Sequence, residues 1–184
     1  MRLVYLLMVI SLLWGGSVFA QDLFLVNKGA IKFNSKTARE LIHASSDDLK
    51  GYFDIEKKVF AFKIDMISFA GFNSPLQREH FNESYMETSL FPQATFSGKV
   101  IENVDLRFDG EYNVRAKGKL VIHGIERERI INSKIKVDGD NIYITSVFTV
   151  TLADHDIKIH RVVYEKLAPE ISVEVTAALI PKPR

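Results

Sequence analysis

The side chains best suited to chemistry in this sequence are its histidines. They are His43, His80, His123, His155 and His160. His155 and His160 lie five positions apart with aspartates on both sides of the first, a set that could offer nitrogen and oxygen ligands to a divalent ion. The sequence has no His-Glu-x-x-His spacing, which would fix two ligands on one face of a helix. A metal site is therefore a weak hypothesis.

A catalytic hypothesis would combine His123 with Glu79 and His80 for acid-base or metal-assisted hydrolysis. The sequence contains no cysteine nucleophile, no nucleophile elbow and no glycine-rich phosphate loop after a strand. Isolated clusters of ionisable residues are weak evidence for catalysis. We therefore expect no enzyme activity, no metal and no cofactor, and a hydrolase or metal-dependent enzyme that uses His80, Glu79 and His123 is the alternative.

The surroundings of His123 favour a structural role. In residues 119–127, KLVIHGIER, the apolar side chains occupy even positions up to Ile122, which puts His123 on the outward, polar row of a strand. Gly124 permits a bend or a positive φ. We predict that His123 faces solvent and that the dipeptide forms a corner between two strands.

The elements that would position these residues are strands, because apolar and polar side chains alternate over long segments. The alternation is evident in residues 60–66, 94–100, 110–122, 131–137, 142–152 and 171–179. Asp138 and Gly139 have the turn chemistry of a hairpin. Two opening segments, around residues 31–33 and 41–42, are shorter and their faces less distinct. The total is eight or nine strands.

One segment predicts a helix. Ser74 is a candidate N-cap, Pro75 suits the first helical position, and Gln77 completes a capping box. The helix should end near Met86, before Leu90. Because it is the single helix among strands, we expect it to lie across one mouth of a barrel.

Long antiparallel strands with one apolar face can form a sandwich, or a barrel without exposed edges. The strands in residues 94–152 run about ten to thirteen residues, longer than the usual five or six. Gly98 and Gly118 occupy inward positions, where glycine suits a coiled barrel wall. Eight strands are also wide enough to hold an apolar ligand. We predict an all-β fold, an extended eight-stranded antiparallel barrel with one short helix near its mouth.

Residues 1–20 are typical of a cleaved secretory signal, with Arg2, an apolar run and small residues at Val18 and Ala20. The alternative, an uncleaved anchor, needs a longer apolar span, since crossing a bilayer takes about 20 residues. We expect a single domain over residues 21–184 and a periplasmic location. Secretion from the cell is the alternative. The sequence has no cysteine, so this domain must be stable without disulfides.

The charge balance gives no indication of a nucleic-acid partner. The chain has 24 basic and 23 acidic residues, and removal of the signal takes away one basic residue, which leaves 23 of each. A formal charge of zero does not favour nucleic acid. Transient contact with a membrane stays open, and so does the oligomeric state, including a homodimer.

Three segments resemble the YceI-like family. Residues 120–125, LVIHGI, resemble its L-T-I-H-G-V segment, and residues 91–98, FPQATFSG, resemble its Y-P-x-[IA]-T-F-x-[SG] segment. Residues 78–87 are similar to its R-D-x-H-L … F-F-D helix, shortened by one residue. The order and spacing agree from about Gly29 to Leu179. Residues 152–157, LADHDI, depart from the R-x-D-F-G-[IM] segment that the family often has.

The resemblance implies a lipocalin-like barrel that is exported to the periplasm and holds a polyisoprenoid chain, such as a quinone tail or a prenyl lipid, in a long apolar cavity. It implies a carrier or storage protein without an established reaction. The two divergent segments could both border the cavity mouth, so the head group and the ligand class stay open. A stress-related structural barrel without ligand is a further alternative.

The inward rows of the strands supply the predicted cavity wall, whose apolar side chains would shield a hydrocarbon chain from water. These ligand-binding candidates are Phe60, Phe62, Ile64, Met66, Phe96, Val100, Tyr112, Val114, Ile122, Ile144, Phe148, Val173 and Val175. Alternation alone does not distinguish a cavity wall from a filled core. The resemblance favours the cavity.

Overall fold

A computed structural model describes residues 23–183, so the predicted signal segment lies outside the described residues. The fold consists of nine strands and one α-helix. They are β1 (Leu23–Lys36), β2 (Leu41–Ser46), β3 (Lys50–Asp54), β4 (Val59–Asp65), α1 (Pro75–His80), β5 (Gln93–Val100), β6 (Gly110–Ile122), β7 (Ile125–Asp138), β8 (Asn141–Thr151) and β9 (Glu170–Pro181). Within residues 23–183, no helix has the length and apolar character needed to span a membrane.

The sheet closes on itself because the first strand pairs with the last. One edge of β1 pairs with β9, and its other edge pairs first with β3 and then with β2. Because β2 and β3 follow one another along the same edge, they share one position in the wall. All neighbours are antiparallel, and the result is a closed barrel of eight strand positions. The predicted fold class is confirmed.

The opening strand is longer than its sequence pattern indicated. β1 spans 14 residues, and its pairing with β9 shifts between Val26 and Lys28. This irregularity interrupts the alternation of apolar and polar side chains, which explains why the sequence predicted only short segments here. The later strands, β6 to β9, follow their predicted alternation closely.

Two facing glycines allow β5 and β6 to approach closely. Gly98 lies opposite Gly118 in the register of the two strands. A Cβ atom at Gly98 would lie 2.1 Å from the carbonyl oxygen of Lys117, and one at Gly118 would lie 2.3 Å from that of Ser97. Both distances are far below van der Waals contact, so neither position accepts a side chain without movement of the backbone.

The predicted helix is present with its predicted cap. The backbone N–H of Gln77 donates to Oγ of Ser74 at 3.2 Å, and Pro75 occupies the first helical position. The α-helix ends at His80 and continues as one wider, π-helical turn over Phe81–Tyr85. The helical segment therefore ends near Met86, as the sequence predicted.

β7 and β8 are paired along only part of their lengths. β6 pairs with β7 over its whole length, and β8 pairs with β9 from Ile142 to Thr151. Between β7 and β8, by contrast, the register runs only from the Ser133–Ser146 pair to the hairpin at Asp138. In the described part of the chain, residues 125–132 of β7 and 147–151 of β8 have no pairing with each other. We call this stretch the β7–β8 seam.

Candidate functional site

The barrel encloses an apolar cavity made of two connected chambers. The inner chamber has a volume of about 110 Å³ and the outer chamber about 380 Å³. The same side chains contribute to both walls where the chambers meet, and we call this ring the neck. The neck residues are Ile31, Ile64, Ala94, Leu120 and Phe148. The two chambers are therefore neighbours inside the barrel, separated only by the neck.

The inner chamber is lined by the inward rows of the strands. Phe60 stacks on Phe62 with ring centroids 5.7 Å apart, and Phe96 lies 5.0 Å from Phe60. The main polar feature of this wall is the Ser133–Ser146 pair, whose hydroxyl oxygens are 2.7 Å apart. One of the two hydroxyls donates to the other, and the rest of the wall is almost entirely apolar, so the chamber favours hydrocarbon.

The outer chamber lies under the helical segment. Phe81, which follows α1, stacks on Phe33 of β1 with centroids 5.5 Å apart. Phe69 and Phe72 complete an aromatic cluster around them, with Phe72 5.1 Å from Phe81. All four rings line the outer chamber. The prediction that the helix lies across a barrel mouth agrees with this arrangement, because Gln77 and His80 of α1 also form part of the wall.

Polar groups in the outer wall are few and lie on three segments. Nε2 of Gln77 donates to Oε1 of Glu40 at 2.6 Å, which joins α1 to the loop before β2. His80 and Lys166 also line this chamber. Burial raises the pKa of the Tyr85 hydroxyl, which further favours its neutral, hydrogen-bonding form. The outer chamber can therefore accommodate a polar group as well as hydrocarbon.

The structure places nearly all of the predicted cavity residues on this wall. Those in the inner chamber are Phe60, Phe62, Ile64, Phe96, Val100, Val114, Ile144, Phe148 and Val175, and those in the outer chamber are Ile64, Met66, Ile122, Phe148 and Val173. Met66 contributes from a 3-10 turn, Met66–Ser68, just after β4. Whether a ligand contacts these residues stays a prediction.

Tyr112 is the exception among the predicted cavity residues. Its side chain lies outside the linings of both chambers, and its hydroxyl donates to the carbonyl oxygen of Phe108 at 2.9 Å. The alternation of β6 puts Tyr112 on the inward row, but its position near the start of the strand takes the ring beyond the end of the cavity.

Sequence reasoning missed the aromatic cluster of the outer chamber. Phe33, Phe69, Phe72 and Phe81 come from a strand, two loops and a helical turn, so no single period relates them. The only sequence signal is the large number of phenylalanines, 13 in the chain. Leu120 belongs to the even-numbered apolar row of its strand. That row does not give its position along the barrel, which is what places it in the neck.

His123 occupies the predicted corner but does not face solvent. His123 and Gly124 both have a positive φ, 50° and 71°, between the end of β6 and the start of β7. Two such residues form a tight hairpin turn that matches the twist of the strands. The His123 side chain is only 10% exposed, and its ring lies 4.6 Å from that of Phe91. The predicted orientation is wrong because the left-handed backbone removes this side chain from the strand alternation.

Two histidines form a hydrogen-bonded network at this corner. Nε2 of His123 lies 2.7 Å from Oε2 of Glu87, and its Nδ1 lies 3.1 Å from the carbonyl oxygen of His155. Nδ1 of His155 lies 3.1 Å from the carbonyl oxygen of Ile125 and must donate to it. Burial lowers the pKa of His155, although nearby backbone carbonyls oppose this effect. His155 is therefore a neutral, fully buried ring.

The hypothetical catalytic set does not assemble. His80 lines the outer chamber, Glu79 is exposed on α1, and both ring nitrogens of His123 are engaged in the corner. Over residues 23–183, no cluster of three or more histidine, cysteine, aspartate or glutamate side chains could hold a metal ion. The geometry instead provides an apolar cavity.

Comparison with known proteins identifies the family. Residues 26–179 match the model of the YceI-like domain, which covers most of the chain. The chain belongs to the YceI-like family. No curated protein matches it significantly in sequence.

Solved structures share the YceI-like fold at low sequence identity. A polyisoprenoid binding domain from Saccharophagus degradans superposes with a TM-score of 0.75 at 13% identity, covering 89% of this chain and 100% of the other. BcnA from Burkholderia cenocepacia gives 0.66 at 16% identity, covering 82% and 95%. A YceI protein from Campylobacter jejuni gives 0.62 at 13% identity, covering 76% and 85%. At these identities the likeness establishes the fold of this YceI-like protein.

Proposed function

We propose that this YceI-like protein binds one amphiphilic lipid with a long hydrocarbon chain, of the polyisoprenoid class, and acts as a carrier and not as an enzyme. The observation that carries the proposal is the pair of chambers joined at an apolar neck inside a closed barrel. A quinone or another prenyl lipid combines the long apolar chain and the small polar end that this cavity suits.

The dimensions of the two chambers favour an elongated ligand. The outer chamber, at about 380 Å³, falls in the usual range of about 300–1,000 Å³ for small-molecule sites, whereas the inner one, at about 110 Å³, does not. An apolar cavity of about 150 Å³ can stay dry and accept a benzene-sized molecule. A chain that enters the inner chamber would displace no tightly bound water and would gain about 0.8 kcal/mol for each buried methylene.

The polar end of the ligand would lie in the outer chamber. Glu40, Gln77, His80 and Lys166 supply both donors and acceptors there, while the polar side-chain groups of the inner wall are mainly the two hydroxyls of the Ser133–Ser146 pair. The mixture contains both charge signs and no cluster of arginines, so it suits a small polar head better than a multiply charged one. This polarity fixes the direction in which the lipid is bound.

Structural likeness supports the ligand class. The solved domain from Saccharophagus degradans is described as polyisoprenoid binding, and it superposes over its whole length. A family resemblance does not by itself determine a ligand. The support from this chain itself is the apolar cavity inside its own barrel.

We also propose that the protein is exported. Residues 1–20 have the basic start, apolar run and small residues of a signal peptide, and residues 21–184 form the single exported domain. The periplasm is the proposed location, since that compartment holds soluble carriers next to membrane lipids. Mass spectrometry of the protein from the periplasmic fraction tests this directly, because cleavage after Ala20 must leave Gln21 as the first residue.

Native mass spectrometry of the protein purified from its own cells tests the ligand. We expect one lipid-sized adduct per chain, identified by extraction as a prenyl lipid. Phe148→Asp puts a charge in the neck and should abolish the adduct, whereas Asn141→Asp, exposed at the start of the same strand, should keep it. Circular dichroism checks that both variants are folded. A ligand-free wild-type protein that takes up no added geranylgeraniol would contradict the proposal.

A further inference from the structure

The β7–β8 seam breaks the wall of the barrel beside the cavity. A closed barrel normally leaves no free strand edges, but the backbone of β7 before Ser133 and that of β8 after Ser146 face each other without pairing. On their other sides these strands are fully paired with β6 and β9. The gap therefore lies between two well-supported halves of the wall, and it can widen without loss of ladder hydrogen bonds.

Three side-chain contacts cross the seam along its length. At its base the hydroxyls of Ser133 and Ser146 are 2.7 Å apart. In its middle, Nη2 of Arg129 donates to the carbonyl oxygen of Thr149 at 2.7 Å. At its far end, Nδ1 of His155 donates to the carbonyl oxygen of Ile125, the first residue of β7. Side-chain contacts of this kind break and re-form more readily than a continuous ladder.

An outer groove of about 370 Å³ lies at the base of the seam, on the other side of the wall from the inner chamber. Val114, Ser133 and Ser146 contribute to the walls of both the groove and the inner chamber, so only one layer of side chains separates them. Ile131 and Phe148, which border the seam from the inside, line the inner chamber. The seam is thus bordered from the inside by apolar side chains at these two positions, while the contacts that cross it are polar.

The outer surface of the seam includes two exposed apolar side chains, Ile130 and Val147. Among the described strands from β4 to β9, the exposed large hydrophobic side chains are Ile130, Tyr143 and Val147, and all belong to β7 and β8. Ile130 is 55% exposed and Val147 is 63% exposed. The outward row of the neighbouring β6 is occupied by charged and amide side chains from Glu111 to Lys119. Apolar side chains therefore flank the seam on both faces, and the polar contacts that cross it must break before a hydrocarbon chain can pass.

We propose that the β7–β8 seam is a lateral portal through which the hydrocarbon chain of the lipid enters and leaves the barrel. The portal rests on the proposed function, since its occupant is the prenyl chain of that ligand. Entry through the mouth alone would require the whole chain to be threaded end-on past the neck. A seam along the barrel axis lets the chain enter side-on, with its polar end remaining at the outer chamber.

A reversible cross-link across the seam tests the portal. Ile130→Cys and Thr149→Cys, both exposed, are joined by a short bis-methanethiosulfonate linker that a reductant removes. Because the chain has no cysteine of its own, the linker has no competing site. The control carries the same linker between Lys119→Cys and Glu128→Cys, exposed partners on the fully paired strands β6 and β7.

The measurement is the rate at which fluorescent retinol, an isoprenoid probe, passes from the protein to phosphatidylcholine vesicles. We expect the cross-link at the seam to slow release at least tenfold, the control to leave it unchanged, and reductant to restore it. Arg129→Ala, which removes the middle contact, should speed release by up to roughly tenfold, the factor for about 1.4 kcal/mol. This second variant does not depend on the linker.

Two results would overturn the portal, and they differ in meaning. Equal release from the linked seam and the linked control would show that the chain exchanges elsewhere, and the proposed carrier function would stand. A wild-type protein that binds no retinol and no geranylgeraniol would contradict the proposed function and the portal together.

Discussion

The Nε2 atom of His123 lies 2.7 Å from Oε2 of Glu87, and both residues have a left-handed backbone, with φ of 50° and 43°. The other ring nitrogen of His123 faces a carbonyl oxygen. Both ring nitrogens of His123 are therefore engaged by oxygen atoms. Strained backbone at two facing residues persists only where the surroundings hold it, which makes this contact a fixed point of the barrel end.

His123→Ala should destabilise the protein. The change removes two hydrogen bonds and the packing against Phe91, and it puts alanine at a positive φ. We expect the free energy of unfolding in urea to fall by about 1–3 kcal/mol. His123→Asn, which tolerates the left-handed backbone, should cost less. Equal stability of wild type and the alanine variant would contradict the role of this contact.

The buried ring of His155 predicts a loss of stability in mild acid. Burial lowers the pKa of this group in the folded protein, while in the unfolded chain it returns to about 6.5. Below that value the unfolded chain takes up a proton that the folded chain resists. The stabilisation is therefore complete above about pH 6.5 and decreases as the pH falls towards the lowered pKa.

Urea denaturation at several values between about pH 8 and pH 5 measures this dependence. His155→Asn keeps a donor for the carbonyl oxygen of Ile125 but does not titrate, so it should be less stable at neutral pH and show a flatter pH dependence. Parallel curves for the two proteins would show that other groups cause the acid sensitivity.

The contact between Gly98 and Gly118 predicts that neither position accepts alanine. The added methyl group would meet a backbone oxygen that cannot rotate away, so the strands must separate. We expect Gly98→Ala to lower the free energy of unfolding by about 1–3 kcal/mol, the usual cost of overpacking. Lys99→Ala, exposed on the same strand, is the control and should stay within about 0.5 kcal/mol of wild type.

The neck predicts selection by chain length. Ala94→Leu adds bulk where the two chambers meet, so a long chain should no longer reach the inner chamber. We expect the thermal stabilisation by geranylgeraniol to decrease strongly, while that by the shorter geraniol changes little. Ser97→Leu, exposed on the same strand, should leave both ligands unaffected. An equal loss for both alcohols would place the effect outside the neck.

The parts of the fold that follow from local chemistry could be predicted from the sequence. The alternation of β6 to β9, the cap at Ser74 and the corner at Gly124 each depend on residues close in the chain. The seam could not be predicted, because β7 and β8 keep their alternation where their pairing ends. Alternation reports which face of a strand is buried, and it contains no information on the distance to the next strand.

The cavity wall shows the same division. The inward rows follow from period two, so most of the wall could be named from sequence. The end of the wall could not be predicted, since Tyr112 lies on the inward row of β6 but outside the inner chamber. The orientation of His123 was missed because a single left-handed residue changes where the side chain points. The network of His123, Glu87 and His155 joins residues from three loops, and no spacing relates them.

The pairing of the first strand with the last sets the order of folding. Gly29 pairs with Ala177, which is 177 − 29 = 148 positions later in the chain. Contacts between such distant positions form slowly, because a long loop must be ordered before they stabilise anything. One edge of β1 therefore stays unpaired until β9 has been synthesised. We expect the nascent chain to need protection from aggregation until its last residues are released, and no disulfide is available to hold its ends together earlier.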